Sequence, residues 1–257
     1  MGTTREDVLN MMDLHRNGIL DFSKKLSVAD IGASQLHYHV SGISGKIVNN
    51  EFVPNEKTYP DSKDFLKEVF ELFGKNASFD DYSSGMLAQR FYKDLEFDYL
   101  AIDLDTYNDL DYVLKLDLNV DRCPDDKKGQ YDLVVNNGTT EHLINQTNAF
   151  NVMHDLCKVG GVMLSTVPCF DINHGFFNYS PIFFKQLAKA NGYEIISVHL
   201  QFVNSGNNLL NIYVYSITRK LNDAEFIQPC QIFDNGNFDS NIMYNASYQK
   251  NDICIVI

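Results

Sequence analysis

The chain has 257 residues, 44% hydrophobic and 12% aromatic, with 21 basic against 34 acidic side chains and a net charge of −13. That much apolar material can bury a real core, which excludes disorder along the full length. The acidic balance excludes the broad lysine and arginine footprint that nucleic-acid phosphates require, so no nucleic-acid partner is expected.

Residues 5–15 carry Val8, Leu9, Met11, Met12 and Leu14 among polar side chains, the spacing of an amphipathic helix. Residues 25–32 form an apolar run ending in Asp30, Ile31 and Gly32, which predicts a buried strand entering a tight turn. Residues 40–95 differ in texture, with Pro54, Pro60 and a predicted helix over 64–73 closed by Gly74. Strands are then predicted over 97–104, 112–118, 131–136 and 162–167, the last stopped by Pro168. Helices are predicted over 143–157 and 181–191, the second with Pro181 in its first turn and Gly192 as its stop. Strands alternating with helices imply a mostly parallel α/β sheet covered on both faces. The β-rich segments 193–201 and 209–218 are too close for a parallel crossover, so they must pair antiparallel.

The five cysteines are odd in number and form no C-x-x-C pair, a pattern of reduced thiols. The first 20 residues are charged throughout, unlike a signal peptide, and no apolar run approaches the roughly 20 residues needed to span a bilayer. A cytoplasmic protein without a membrane partner is expected. One domain over 1–221, with an insertion at about 40–95, would be followed by a C-terminal extension over 222–257.

Asp30-Ile31-Gly32, Asp103, Asp117, the run Tyr131 to Val135, and Gly160-Gly161 occur in an order that resembles the class I S-adenosylmethionine-dependent methyltransferases. Residues 131–168 are similar to that family's Asp-Leu-Val, Glu-His-Leu, Gly-Gly, Pro pattern, and the likeness covers roughly 26–217. It implies a Rossmann-like, mostly parallel seven-stranded sheet with a terminal antiparallel hairpin, helices on both faces, and S-adenosylmethionine as cofactor. By this resemblance Asp30, Gly32, Ala33, Ser34 and Gln35 form the turn for the methionine part of the cofactor, although the family's further glycines are replaced by Ala33 and Ser34. A glycine there lets backbone approach a ligand closely. Asp103 would accept hydrogen bonds from the ribose hydroxyls with Leu104 beside the adenine, and Asp105 competes for that role. Asp117 and Leu118 would hold the adenine edge. Asn136 and Gly138 follow the fourth sheet strand, at the carboxyl edge where open α/β sheets bind ligands.

His142 and His174 are the candidate catalytic bases, since histidine titrates near neutral pH. No metal is expected: His37 and His39 lack a third ligand nearby, and residues 103–111 lack the glycine of an EF-hand loop. The expected activity is methyl transfer to a small-molecule acceptor, most naturally O-methylation of a sugar or secondary metabolite. The alternatives are a partner-binding module of this fold without catalysis, and a metal-dependent glycosyltransferase using Asp103 and Asp105. The insertion, with Phe65, Val69, Phe70, Phe79, Tyr82, Phe91 and Tyr92, is expected to cap the acceptor pocket, or else to be a peripheral packing unit or a homodimer face.

Overall fold

The computed structural model describes residues 2–38, 44–48, 51–54, 62–105, 110–172, 174–204 and 210–229. A nine-stranded sheet runs in the order β5-β4-β11-β12-β10-β9-β2-β7-β8. Its strands are β2 (Ser27–Ile31), β4 (Ser44–Val48), β5 (Glu51–Pro54), β7 (Asp98–Asp103), β8 (Val113–Lys115), β9 (Tyr131–Asn137), β10 (Cys157–Phe170), β11 (Glu194–Asn204) and β12 (Leu210–Arg219). The stretch β8-β7-β2-β9-β10 is parallel throughout, and β12 runs antiparallel between β10 and β11. The seven expected strands and the closing hairpin are therefore present. Two more, β4 and β5 from the insertion, extend the sheet at the β11 edge.

Period-two alternation decides which side chain enters which core layer. Val28, Leu133, Val135, Val162 and Leu164 face one layer with α1 (Arg5–Arg16), α2 (Ser62–Leu72) and α3 (Ala88–Asp94). Ala29, Ile31, Val134 and Met163 face the other, with α4 (Gln146–Leu156) and α5 (Pro181–Asn191). Helix α1 begins with a reciprocal capping box between Thr4 and Asp7. Helix α5 has proline in its first turn and ends at Gly192 in the left-handed conformation, as the sequence predicts.

The insertion departs from the expected cap. Phe65, Val69, Phe70, Phe91 and Tyr92 are fully or almost fully buried in the first core layer, with Phe70 edge-on to Phe91 at 5.9 Å. These rings are consumed in holding α2 and α3 against the sheet. The parts of the insertion at residues 40–43, 49–50 and 55–61 lie outside the described residues.

Three further differences bear on the site. Strand β10 continues through Pro168, and its ladder with β12 shifts register between Pro168 and Phe170, the irregularity expected where a strand lacks an N–H. Strand β8 is only three residues long, so Asp117 and Leu118 lie beyond it in a turn. The glycine turn after β2 leads into β3 (Gln35–His37) rather than into a helix. With β1 (Gly2–Thr4) and β6 (Met86–Leu87), β3 forms a small second sheet. Among the described residues no helix is long and apolar enough to cross a membrane, and Cys123, Cys157 and Cys169 are free thiols.

Candidate functional site

From β2 the chain works outward to β7 and β8, then returns to β9 on the other side of β2. The strand order therefore reverses between β2 and β9, and ligands of open α/β sheets lie outside the carboxyl ends at such a switch point. The architecture is Rossmann-like. The loops after β2, β7, β9 and β10 leave the carboxyl ends of the strands around this point.

The β2 loop is built around Gly32, whose φ of +89° suits glycine alone and whose N–H donates to the Ile102 carbonyl at 2.7 Å. A Cβ at this position would lie 2.3 Å from Thr139 Oγ1, so the β2 and β9 loops touch here. Asp30 is fully buried and accepts from the Ser34 N–H (3.1 Å), the Ser34 hydroxyl (2.8 Å) and the Tyr99 hydroxyl (2.7 Å). Burial pushes its carboxyl up to about 7, against the lowering effect of those hydrogen bonds. Asp30 and buried Ser34 shape the turn from below, while Gln35 belongs to β3. Ala33 donates its N–H to Asp103 Oδ2 at 2.8 Å, joining the β2 and β7 loops.

Asp103 closes β7, its other oxygen accepting from the Asp105 N–H at 3.1 Å, and Leu104 beside it is 62% exposed. Asp117 accepts from the backbone and side-chain amides of Asn119 at 2.9 and 3.0 Å. Leu118 does not reach the crevice: it is buried in the second core layer, and its carbonyl is held by the Asn148 side chain at 2.9 Å. Asn136 is likewise internal. Its Oδ1 accepts from the Thr139 and Thr140 amides, and its Nδ2 donates to Thr140 Oγ1 at 2.9 Å. Gly138 then reverses the chain at φ +83°.

The β9 and β10 loops carry the titratable cluster. Glu141 and His142 lie in a short 3-10 turn, Thr140–His142. His174 Nε2 is 3.4 Å from Glu141 Oε1, His142 Nε2 is 4.0 Å from the same oxygen, and the two imidazoles sit edge to face at 5.1 Å. Glu141 is completely buried, which raises its carboxyl to about 7, and burial also lowers His142 below the usual imidazole range. The two histidines are thus brought together as one group. Sequence reading treated them separately because 32 residues part them and no short-range spacing links them.

Sequence reading also missed the part played by the N-terminus. Asn137 donates to Thr3 Oγ1 at 3.0 Å and the Thr166 hydroxyl donates to Asp7, so β1 and the start of α1 lie across the carboxyl ends of β9 and β10. The amphipathic spacing of residues 5–15 predicts α1 but carries no sign of where its start docks. A cleft of about 320 Å³ between α4, α5 and residues 226–229 is lined by Gln146, Phe150, Ile182, Phe183, Leu187 and Phe226 among others, none of them titratable.

No family model and no curated protein matches the sequence. Among solved structures the chain is similar to the trans-methyltransferase CalH complexed with SAH, at 12% identity and a TM-score of 0.44, over 84% of this chain and 55% of that one. It therefore spans about half of CalH. It is also similar to a 1,6-didemethyltoxoflavin-N1-methyltransferase of Burkholderia thailandensis, at 12% identity and a TM-score of 0.41, over 84% and 87% of the two chains. The [4+2]-cyclase SpnF is similar as well, at 10% identity and a TM-score of 0.43, over 82% and 80%. Many of these structures are S-adenosylmethionine-dependent methyltransferases.

Proposed function

We propose that the protein transfers a methyl group from S-adenosylmethionine to a small-molecule acceptor, at a hydroxyl of a sugar or secondary metabolite. The observation that carries this reading is the Ala33 to Asp103 hydrogen bond of 2.8 Å, which sets a carboxylate and a glycine turn side by side next to the switch point. The residues fit the cofactor best at its nucleoside end. A carboxylate has about four acceptor sites, so anchoring the turn and accepting from a ribose diol are compatible roles for Asp103. Exposed Leu104 offers an apolar surface for a base ring. When bound, S-adenosylmethionine supplies an electrophilic methyl group, and alignment of donor and acceptor accounts for much of the rate.

The Glu141, His142 and His174 group, carried by the β9 and β10 loops, would receive the acceptor hydroxyl. The second reading is a partner-binding module. It is favoured by the Thr139 hydroxyl, which fills the space beside Gly32 where the methionine part of a cofactor would approach.

Titration calorimetry with S-adenosylmethionine and S-adenosylhomocysteine separates the two. Micromolar binding that Asp103→Ala weakens by about tenfold or more, the loss of a charge-assisted hydrogen bond, supports the cofactor site. Absence of binding up to millimolar concentration overturns it and leaves the module. Radiolabelled methyl transfer to hydroxylated acceptors, compared with amine and thiol acceptors, then tests the acceptor class.

A further inference from the structure

We propose that Glu141, His142 and His174 form a binding site for one divalent transition-metal ion. One ligand atom from each of the three residues lies within 4.8 Å of the others. Glu141 is 0% exposed, yet neither of its carboxylate oxygens has a hydrogen-bond partner in another residue, and the buried Nε2 of His174 has none either. Buried polar groups are nearly always satisfied, and a carboxylate is the most costly to leave bare. An ion pair between His174 and Glu141 would engage only Oε1 and leave the buried Oε2 without a partner. It would also set a second imidazole 4.0 Å from the same oxygen without use. A metal ion satisfies all three side chains at once.

The surroundings are built to hold this geometry. The Phe176 and Phe177 amides donate to the Glu141 carbonyl at 2.7 and 3.2 Å, pinning the β10 loop onto the turn that carries Glu141 and His142. Gly175, at φ +69°, makes that approach: a Cβ there would lie 2.8 Å from the Glu141 carbonyl oxygen. Behind His174, Nδ1 faces Asp171 Oδ2 at 3.9 Å, and Asp171 accepts from the Tyr213 hydroxyl at 3.0 Å. A carboxylate behind the non-ligating nitrogen is the usual outer support of a metal-bound histidine. With bonds of about 2.0–2.2 Å, the ligand atoms of a tetrahedral site stand roughly 3.3–3.5 Å apart. The His174 to Glu141 distance of 3.4 Å already meets this, and the His142 to Glu141 distance of 4.0 Å lies about 0.5 Å beyond it.

Two imidazole nitrogens and one carboxylate oxygen select zinc, cobalt, manganese or iron over magnesium and calcium, which prefer all-oxygen shells. Three protein ligands leave at least one coordination position for an exogenous oxygen. The site shares its three residues with the acceptor side of the methyl-transfer reading, but a metal titration reads it whether or not S-adenosylmethionine binds.

The test is calorimetry of the full chain, stripped with chelator, against Zn(II), Co(II) and Mg(II), with visible spectra of the cobalt form. The expected result is one equivalent of zinc or cobalt bound at micromolar concentration or tighter, and magnesium bound far more weakly. His142→Ala and His174→Ala should each weaken binding by about tenfold or more, and His37→Ala should leave it unchanged. Melting curves in chelator show whether each variant is folded, and the half-exposed His142 is the substitution the fold tolerates best. No zinc or cobalt binding at 100 μM overturns the site, as does binding untouched by His142→Ala and His174→Ala. A sulfur-to-cobalt charge-transfer band would place the metal on cysteine and overturn it too.

Discussion

Gly32 shows how much can rest on the absence of one side chain. Its φ of +89° and the Thr139 hydroxyl 2.3 Å from where a Cβ would stand are separate obstacles to any other residue. Gly32→Ala should destabilise the protein by about 1–3 kcal/mol. Adding Thr139→Ala should restore the steric part and leave the conformational part, and paired urea denaturation curves would separate them. Equal stability of Gly32→Ala and wild type would refute the account. The same scale explains which site residues were legible. Glycine and aspartate at strand ends can be read from sequence, and Gly32 and Asp103 are where reading put them. The direction of a side chain is not readable. Asp30 and Asn136 turned inward because Ser34 with Tyr99, and Thr140, respectively offered closer partners than solvent, and Leu118 because its apolar side chain packs into the second core layer.

At the scale of elements, α2 and α3 belong to the core rather than to a lid. Phe70 is 1% exposed and meets Phe79 and Phe91 edge-on at 5.1 and 5.9 Å. Phe70→Ala should cost about 3–5 kcal/mol of stability, read from denaturant midpoints, while ligand affinity of the remaining folded protein stays unchanged. An affinity change without a stability change would return these helices to the role of a cap. Long elements were legible because period 2 and period 3.6 persist over many residues: α1, α5, β9 and the β11-β12 pair all lie where the pattern predicts. Strands β1, β3 and β6, two or three residues each, are too short to show any period. They exist because partners distant in the chain complete their ladders, and no local signal encodes that.

At the scale of the whole molecule, burial of carboxyl groups opposes an already acidic chain. Asp7 and Asp30 are both fully buried, and desolvation lifts them to about 6 and about 7 from an ordinary 3.8. Each therefore holds its proton more tightly in the native than in the unfolded state. The stability this contributes is complete below pH 4 and is lost as pH rises through 6 and 7, by about 1.4 kcal/mol per pH unit for each group within its window. Self-repulsion of a chain carrying a net charge of −13 acts in the same direction. The wild-type protein should thus be less stable at pH 8 than at pH 5.5. The double variant Asp7→Asn, Asp30→Asn keeps the side-chain shapes but cannot ionise at these positions, so its stability should change less over that interval. Urea denaturation of both proteins at the two pH values measures the difference directly. Parallel pH profiles would mean that the hydrogen bonds from Thr4 and Thr166 to Asp7, and from Ser34 and Tyr99 to Asp30, outweigh desolvation and keep both carboxylates charged in the fold.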